Sequence, residues 1–347
     1  MPIVTTTAKV ITDAELARAN ALEAQVDAQA AEIVRLRALV TPARTGLYVD
    51  GTKLRTRFGV ELRLRVLEVM LAGNLKQYGY AKFLAQIKND LGANAVAPLF
   101  EDGFASQTEV KAFLDAALLL GLVVFVNADH QGNFAGGTQG WADEAWLATL
   151  MNGYPNVILE CDVETYVQNG DASTAAWVTA EKAKVAKFRA AGHKSPIKVG
   201  AHAGGRDVSY PLAKGAEVLA ADPEHNLVYT FQAYWGAAGT WYQSSNNFAD
   251  GLAGTKAALA ACAVSGLCFV PGFDVADDVG STNEPALLAE AIRLGLSHAH
   301  WVATGDFRGG NNCYDWDFLP SNPAKSAAAM LAAAWLPARA AFPDAPL

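Results

Sequence analysis

Basic charge, cysteine and long apolar runs are all scarce in this chain. Its 347 residues carry 27 Lys and Arg against 35 Asp and Glu, a net charge of −8. The pI is near 5.3. An acidic chain with no basic stripe lacks the electrostatic footprint of a nucleic-acid-binding protein. Four cysteines, Cys161, Cys262, Cys268 and Cys313, are too few for a disulfide framework, and none forms a CxxC pair. A structural zinc site is therefore not expected. Cys262 and Cys268 read as buried thiols. No apolar run approaches the roughly 20 residues of a membrane span. The most apolar stretch, "AAAMLAAAWLPARAAF", is short and holds Pro337. The opening "MPIVTTTAKVITDAELARAN" lacks the basic flank and apolar core of a signal peptide. The expectation is a chain made in the cytosol, with no membrane insertion. A GxGxxG motif after the first strand is missing too, which disfavours a dinucleotide fold. "AHAGG" has neither Walker nor Rossmann spacing. No cofactor and no metal are expected.

What is present is apolar residue, 52% of the chain. That supports a large core, and an α/β barrel of this length is commonly one domain. Residues 1–42 differ from the rest. "TDAE", Thr12 to Glu15, reads as a capping box, and Pro42 closes the helix. Between them Ala19, Leu22, Val26, Gln29, Ile33, Leu36 and Val40 alternate at spacings of three and four. This is the a/d seam of a coiled coil over about three heptads. β-branched residues with Leu lean towards a parallel dimer, whereas a buried Gln is compatible with a trimer. Self-association through residues 13–40 is expected, as dimer or trimer. The second expected domain is 43–347.

From there the pattern is regular. Apolar, β-branched runs fall at Glu61–Met70, Ala93–Phe100, Val123–Asp129, Asn156–Glu164, Ile197–Ala203, Leu227–Tyr234, Cys268–Asp274 and His298–Gly305, their starts 30 to 41 residues apart. Helix-like segments such as "AKFLAQIKNDLG", "EVKAFLDAALLLG" and "EPALLAEAIRLG" lie between them and end in the glycine of a C-cap. Eight βα units predict a (β/α)₈ TIM barrel, preceded by the coiled-coil helix.

Chemistry in such a barrel sits at the C-terminal ends of the strands. There the sequence places His130 after strand three. Glu160, Asp162 and Glu164 close strand four, and His202 follows strand five. Gln232, Tyr234 and Trp235 end strand six, and Asp274 ends strand seven. "WVATGDF", Trp301 to Phe307, carries Trp301 and Asp306 on strand eight. Glu160, Asp162 and Glu164 are two residues apart, so on a strand they share one face. Carboxylates, amides and aromatic side chains mixed in this way suit a sugar, whose hydroxyls and C–H faces they bind. Bland roles compete: His202 as a structural hydrogen-bond donor, Asp274 as a turn cap.

These strand ends resemble glycoside hydrolase family 5, the cellulase and mannanase-like barrels, from about Tyr48 to Trp316. "IKNDLGANAVAPLF", "LLLGLVVFVNADH", "YPNVILECDVETY", "NLVYTFQAYW" and "GLCFVPGFD" resemble the family's segments in the family's order. The resemblance implies polysaccharide as ligand, with Glu164 as acid/base and Glu160 as the preceding glutamate of the motif. It also matches His130 to a family histidine and Tyr234 to the strand-six tyrosine. Several positions depart from the family pattern. Val163 stands for the asparagine before the acid/base and Ala97 for the strand-two arginine. Gln232 stands for the strand-six histidine. The nucleophile position falls on Pro271 or Gly272, leaving Asp274 as the strand-seven carboxylate. The expectation is a polysaccharide-binding barrel with weak or absent hydrolysis, a pseudoenzyme. On its helical stalk it is similar in plan to phage virion fibre, spike or decoration proteins that contact cell-surface glycans. The alternative is an active retaining endo-glycosidase using Glu164 and Asp274.

Overall fold

The structure, a computed structural model, describes residues 18, 21, 29, 45–70, 73–99, 107–127, 144–160, 173–205, 207–233, 252–274, 284–301 and 327–347. The chain divides into two units, Met1–Ala43 and Arg44–Leu347. In the first, Arg18, Ala21 and Gln29 are helical and exposed. The other positions of the heptad seam lie outside the described residues.

The second unit opens with a small antiparallel sheet, β1 (Tyr48–Asp50), β2 (Lys53–Arg55) and β3 (Glu61–Leu62). The first expected strand is therefore two. After β3 the chain leaves the hairpin, the Leu64 N–H bonds Ser297 Oγ at 2.9 Å, and β4 (Arg65–Met70) begins the barrel. The other expected strands are all present, as β5 (Ala95–Leu99), β6 (Val123–Asn127), β7 (Val157–Glu160) and β8 (Ile197–Gly200). Strands six and seven each come in two pieces, β9 (Leu227–Thr230) with β10 (Gln232–Ala233), and β11 (Cys268–Phe269) with β12 (Gly272–Asp274). The last is β13 (His298–Trp301). All pair in parallel, in the order β10-β12-β13-β4-β5-β6-β7-β8-β9-β11. The two ends of this order are pieces of the same two strands. β9 pairs with β11 and β10 with β12, and the N–H groups of Val270 and Gly272 bond the carbonyls of Tyr229 and Phe231 at 2.8 Å. The sheet is thus a closed ring of eight strands, which leaves no unpaired edge.

Helices cross between strands. α1 (Gly73–Tyr78) and α2 (Tyr80–Gln86), the latter running into a π-helical turn at Ile87–Leu91, connect β4 to β5. α3 (Gln107–Leu119), α4 (Glu144–Asn152), α5 (Thr174–Ala190), α6 (His202–Gly205), α7 (Ser209–Ala221), α8 (Leu252–Val264), α9 (Glu284–Arg293) and α10 (Ala327–Ala341) follow. Local sequence explains their ends. Ser173 caps α5 by accepting from the Ala176 N–H at 3.2 Å, and Lys187 and Arg189 sit in its last turn against the negative end of the helix dipole. Gly92 terminates the π turn at φ +80°, with its N–H on the carbonyls of Ile87 and Lys88. A Cβ there would also come within 3.2 Å of the Trp335 backbone, so the stop and the packing of α10 both demand glycine.

Alternation separates two cores. One is shared with the helices and holds Leu67, Val69, Val124, Val126, Leu159, Val199, Tyr229 and Phe273 from the strands. The other contains no helix residue. It comprises Val66, Ala95, Ala97, Val123, Phe125, Ile158, Val228, Cys268, Val270 and Ala299, and it fills the barrel. Leu47, Leu54, Leu62 and Leu64 from the hairpin region close its N-terminal end. Two buried polar clusters hold that end. Arg189 binds Asp222 through two bonds of 2.7 and 2.8 Å and also donates to the carbonyls of His193 and Ser195. Arg65 donates to Gly92 O at 2.7 Å and to Asp344 at 2.5 Å. With the N-terminal end of the inner stack closed in this way, the polar groups that continue it mark the C-terminal mouth.

Candidate functional site at the barrel mouth

The inner face reads as apolar residues at the N-terminal end and polar ones at the C-terminal end. On β4, Val66 is followed two residues later by Glu68, which is 8% exposed. On β7, Ile158 is followed by Glu160, 2% exposed. On β9 and β10, Val228 is followed by Thr230 and Gln232, all three buried. Two-residue periodicity alone puts each of these on the barrel's inside, above the apolar stack.

Glu160 is the best-placed residue of the sequence-derived set. It is the register partner of Asn127 on one side and of Lys198 on the other. Its Oε1 accepts a hydrogen bond from Lys198 Nζ, an ion pair inside the barrel. Lys198 Nζ also lies 5.9 Å above the Phe125 ring, within reach of a cation–π interaction. Sequence reasoning missed Lys198. The available signal was a lysine within the buried strand "IKVG", two residues before Gly200 and four before His202.

His202 opens the short helix α6 directly after β8 and is 4% exposed. Its ring stacks on Tyr210, with centroids 4.4 Å apart and planes at 10°, and its Nε2 has no hydrogen-bond partner. Burial lowers the imidazole pKa and Asp207 opposes that effect, so the neutral ring is favoured. Trp177, whose Nε1–H donates to Gly200 O at 3.2 Å, packs edge-on to the same tyrosine. Gln232 folds over α6, so a Cβ added to Gly205 would meet its Cδ at 3.3 Å. The structure therefore brings His202 and Gln232 to one side of the mouth, next to the Glu160–Lys198 pair on the neighbouring strands.

On strand seven, Gly272 takes the inner position, alternating with Cys268 and Val270 of the inner core. Asp274 is two residues further along, paired in register with Trp301. Ala97, where the resemblance expects an arginine, is an inner residue of β5 and 4% exposed. Glu164, Asp162, His130, Tyr234, Trp235 and Asp306 lie outside the described residues. Among the described residues no group of three His, Cys, Asp or Glu side chains converges as metal ligands would. A cleft of about 120 Å³ lined by Lys53, Glu61, Arg63 and Leu296 opens at the N-terminal end of the barrel. Barrel enzymes do not use that end for chemistry.

No protein-family model matches the sequence, and no curated protein matches it. Solved structures do. The catalytic domain of a mannanase from Streptomyces sp. SirexAA-E aligns with a TM-score of 0.61 at 22% identity, over 88% of this chain and 92% of that one. A β-mannanase of Thermomonospora fusca in its mannotriose complex aligns with a TM-score of 0.62 at 21% identity, over 82% and 97%. A β-glucanase of Saccharophagus degradans, in complex with cellotetraose, aligns with a TM-score of 0.59 at 15% identity, over 85% and 94%. At these identities the likeness is one of fold. It is the fold that the sequence segments resemble.

Proposed function

We propose that the barrel binds a segment of polysaccharide across its C-terminal mouth and hydrolyses it weakly or not at all. The observation that carries this reading is the inner row of Glu68, Glu160, Thr230 and Gln232. It continues an apolar stack at the end of the barrel where such folds place their sites. Support for sugar as the ligand comes from the company of the fold, mannanases and glucanases solved with mannotriose, mannohexaose and cellotetraose. Support for weak turnover comes from Gly272. Retaining hydrolysis needs a second carboxylate about 5 Å from the acid/base, and glycine supplies none at that inner position. Presentation of the barrel on a helical stalk, the plan of a virion surface protein, is supported by the heptad spacing of residues 13–40.

The test is titration calorimetry of the full chain with mannohexaose and cellotetraose, with chromatography of the products. Binding without product, unchanged in Glu164→Gln, is the expected result. Product release abolished by Glu164→Gln and by Asp274→Asn alike would instead support the retaining endo-glycosidase with Asp274 as its second carboxylate. No binding to any neutral or acidic oligosaccharide would end the carbohydrate reading.

A further inference from the structure

Helix α10 follows the eighth strand, so the ring of strands closes without it. Its sequence is mostly alanine, and Pro337 within it lacks the N–H that would bond the carbonyl one turn back. Two contacts tie it to buried polar groups of the barrel. Trp335, fully buried, lies against the His298 ring of β13, with centroids 5.8 Å apart. Beyond the helix, Asp344 accepts from the buried Arg65 of β4 at 2.5 Å and stands 3.1 Å from Arg339 Nε. Arg339 Nη1 donates to Lys88 O at 3.3 Å.

His298 is buried as well. Its Nδ1 is 3.2 Å from Leu296 O, and a carbonyl only accepts, so Nδ1 carries the proton of the neutral ring. Nε2 is left as the basic nitrogen, and it has no hydrogen-bond partner. Among the described residues the surroundings of the ring are aromatic or cationic. Phe273 and Trp335 pack on it, and an indole N–H can only donate. Arg65 is its register partner on β4, and Arg339 follows Trp335 by one turn on α10. His300 lies two residues along the same face of β13, and on α9 Glu290 and Arg293 bind each other at the surface. A proton on Nε2 would add an N–H without an acceptor. It would also add a third positive charge to Arg65 and Arg339, against the one carboxylate of Asp344.

We propose that α10 and the segment after it, Ala327 to Leu347, form an acid-released clasp. His298 holds Trp335 while its ring is neutral and expels it when protonated, so the clasp opens while the ring of strands stays closed. Lightly held elements of this kind open ahead of the whole fold. Opening uncovers the outer face of β13 and takes the Asp344 carboxylate away from Arg65. Burial keeps the imidazole neutral well below its ordinary 6.5; the Leu296 carbonyl opposes that effect and Arg65 adds to it. A group depressed in the closed form favours closure above 6.5 and loses that contribution as the pH falls. One such group changes the opening equilibrium by at most about tenfold per pH unit.

The experiment is hydrogen exchange of the full chain, read by mass spectrometry of its peptides between pH 7 and 4.5. Protection is corrected for the intrinsic exchange rate at each pH. In the wild type, amides of α10 are expected to lose protection at least about tenfold between pH 6 and 4.5, while those of β5, β6 and β7 keep theirs. In His298→Gln, which cannot take up the proton, the loss in α10 shrinks below about twofold. Asp344→Asn removes the rival acid group. It lowers protection of α10 at every pH and leaves the slope in place. A wild type whose α10 protection is flat overturns the proposal. So does a loss shared equally by β5, β6 and β7, which is acid unfolding of the whole barrel. His298→Gln with the wild-type loss overturns it too, since the proton would then act elsewhere, at His300 or Asp344. Should His298→Gln fail to fold, Asp344→Asn decides. A slope retained there supports His298 as the group that opens the clasp, and a flat profile assigns the release to the carboxylate and sinks the proposal.

Discussion

Gln232 on β10 and Gly272 on β12 are register partners at the inner face of the barrel, one carrying an amide and the other no side chain. Among the described residues, a Cβ built on Gly272 meets only the Phe231 carbonyl oxygen, at an ordinary 3.8 Å. The position therefore has room for a Cβ beside Gln232.

Gly272→Glu should fold with a melting temperature near that of the wild type. It would return a carboxylate to the inner position of strand seven. If Glu164 is a competent acid/base, hydrolysis of mannohexaose should rise by at least about tenfold, because the double displacement regains its nucleophile. Chromatographic product assays on Gly272→Glu, with Gly272→Ala as the packing control, would measure this. An inactive but well-folded Gly272→Glu would show that Glu164 has lost its task as well.

Arg189 and Asp222 form a buried bidentate pair, side chains 5% and 0% exposed, that ties the loops before β8 and β9. Arg189→Ala should cost about 3–5 kcal/mol in urea unfolding, because Asp222 is left buried and unpaired. Burial pushes the Asp222 carboxyl up. Arg189 and the backbone N–H groups of Asn226 and Glu224 outweigh that push and hold it below its usual 3.8. A carboxylate whose folded pKa is depressed contributes stability above the unfolded pKa and loses it as the pH falls through the folded value. The wild type should therefore weaken below about pH 4 more steeply than Asp222→Asn.

His298 is buried on the outer side of β13 between Phe273 and Trp335. Burial pushes its pKa from 6.5 down to about 4; Arg65 adds to the shift and the Leu296 carbonyl opposes it. The neutral imidazole stabilises the fold fully above pH 6.5, and that contribution is lost as the pH falls towards 4. Thermal unfolding across this interval should show a slope that His298→Gln flattens, at some loss of stability at neutral pH. An unchanged slope would place the acid sensitivity elsewhere.

Cys262 and Cys268 are free and buried, and burial raises both thiols, that of Cys268 to about 12. The thiolate is the reactive form, so neither should be alkylated by iodoacetamide at pH 8 in the native protein. Both should label once guanidinium unfolds the chain. Peptide mass mapping before and after denaturation would reveal a disulfide or an accessible thiol if either existed.

The barrel was legible because its signals are local. A strand-and-helix period of 30 to 41 residues is written in the order of apolar runs, and the glycine stops follow from backbone sterics. The three glycines that close the quoted helix-like segments, Gly92, Gly121 and Gly295, all have positive φ. Glu160 was legible in the same way, as a carboxylate closing an apolar strand. Lys198 was not. In a sequence it is one more lysine, and only the parity of β8 inside a closed ring turns it towards Glu160, 38 residues away.

The sequence by itself thus determined the number of βα units, where the helices stop, and which acids stand at strand ends. These depend on neighbours within a few residues. Tertiary structure decided that the sixth and seventh strands each break in two yet close the ring, and that Gly272 occupies the inner strand-seven position. It also decided that Arg65 meets Asp344 across 279 residues and that Lys198 of β8 pairs with Glu160 inside the barrel. The physical reason is common to all four. Barrel closure and register choose which face of each strand is inside and what lies opposite, and no local propensity encodes that choice.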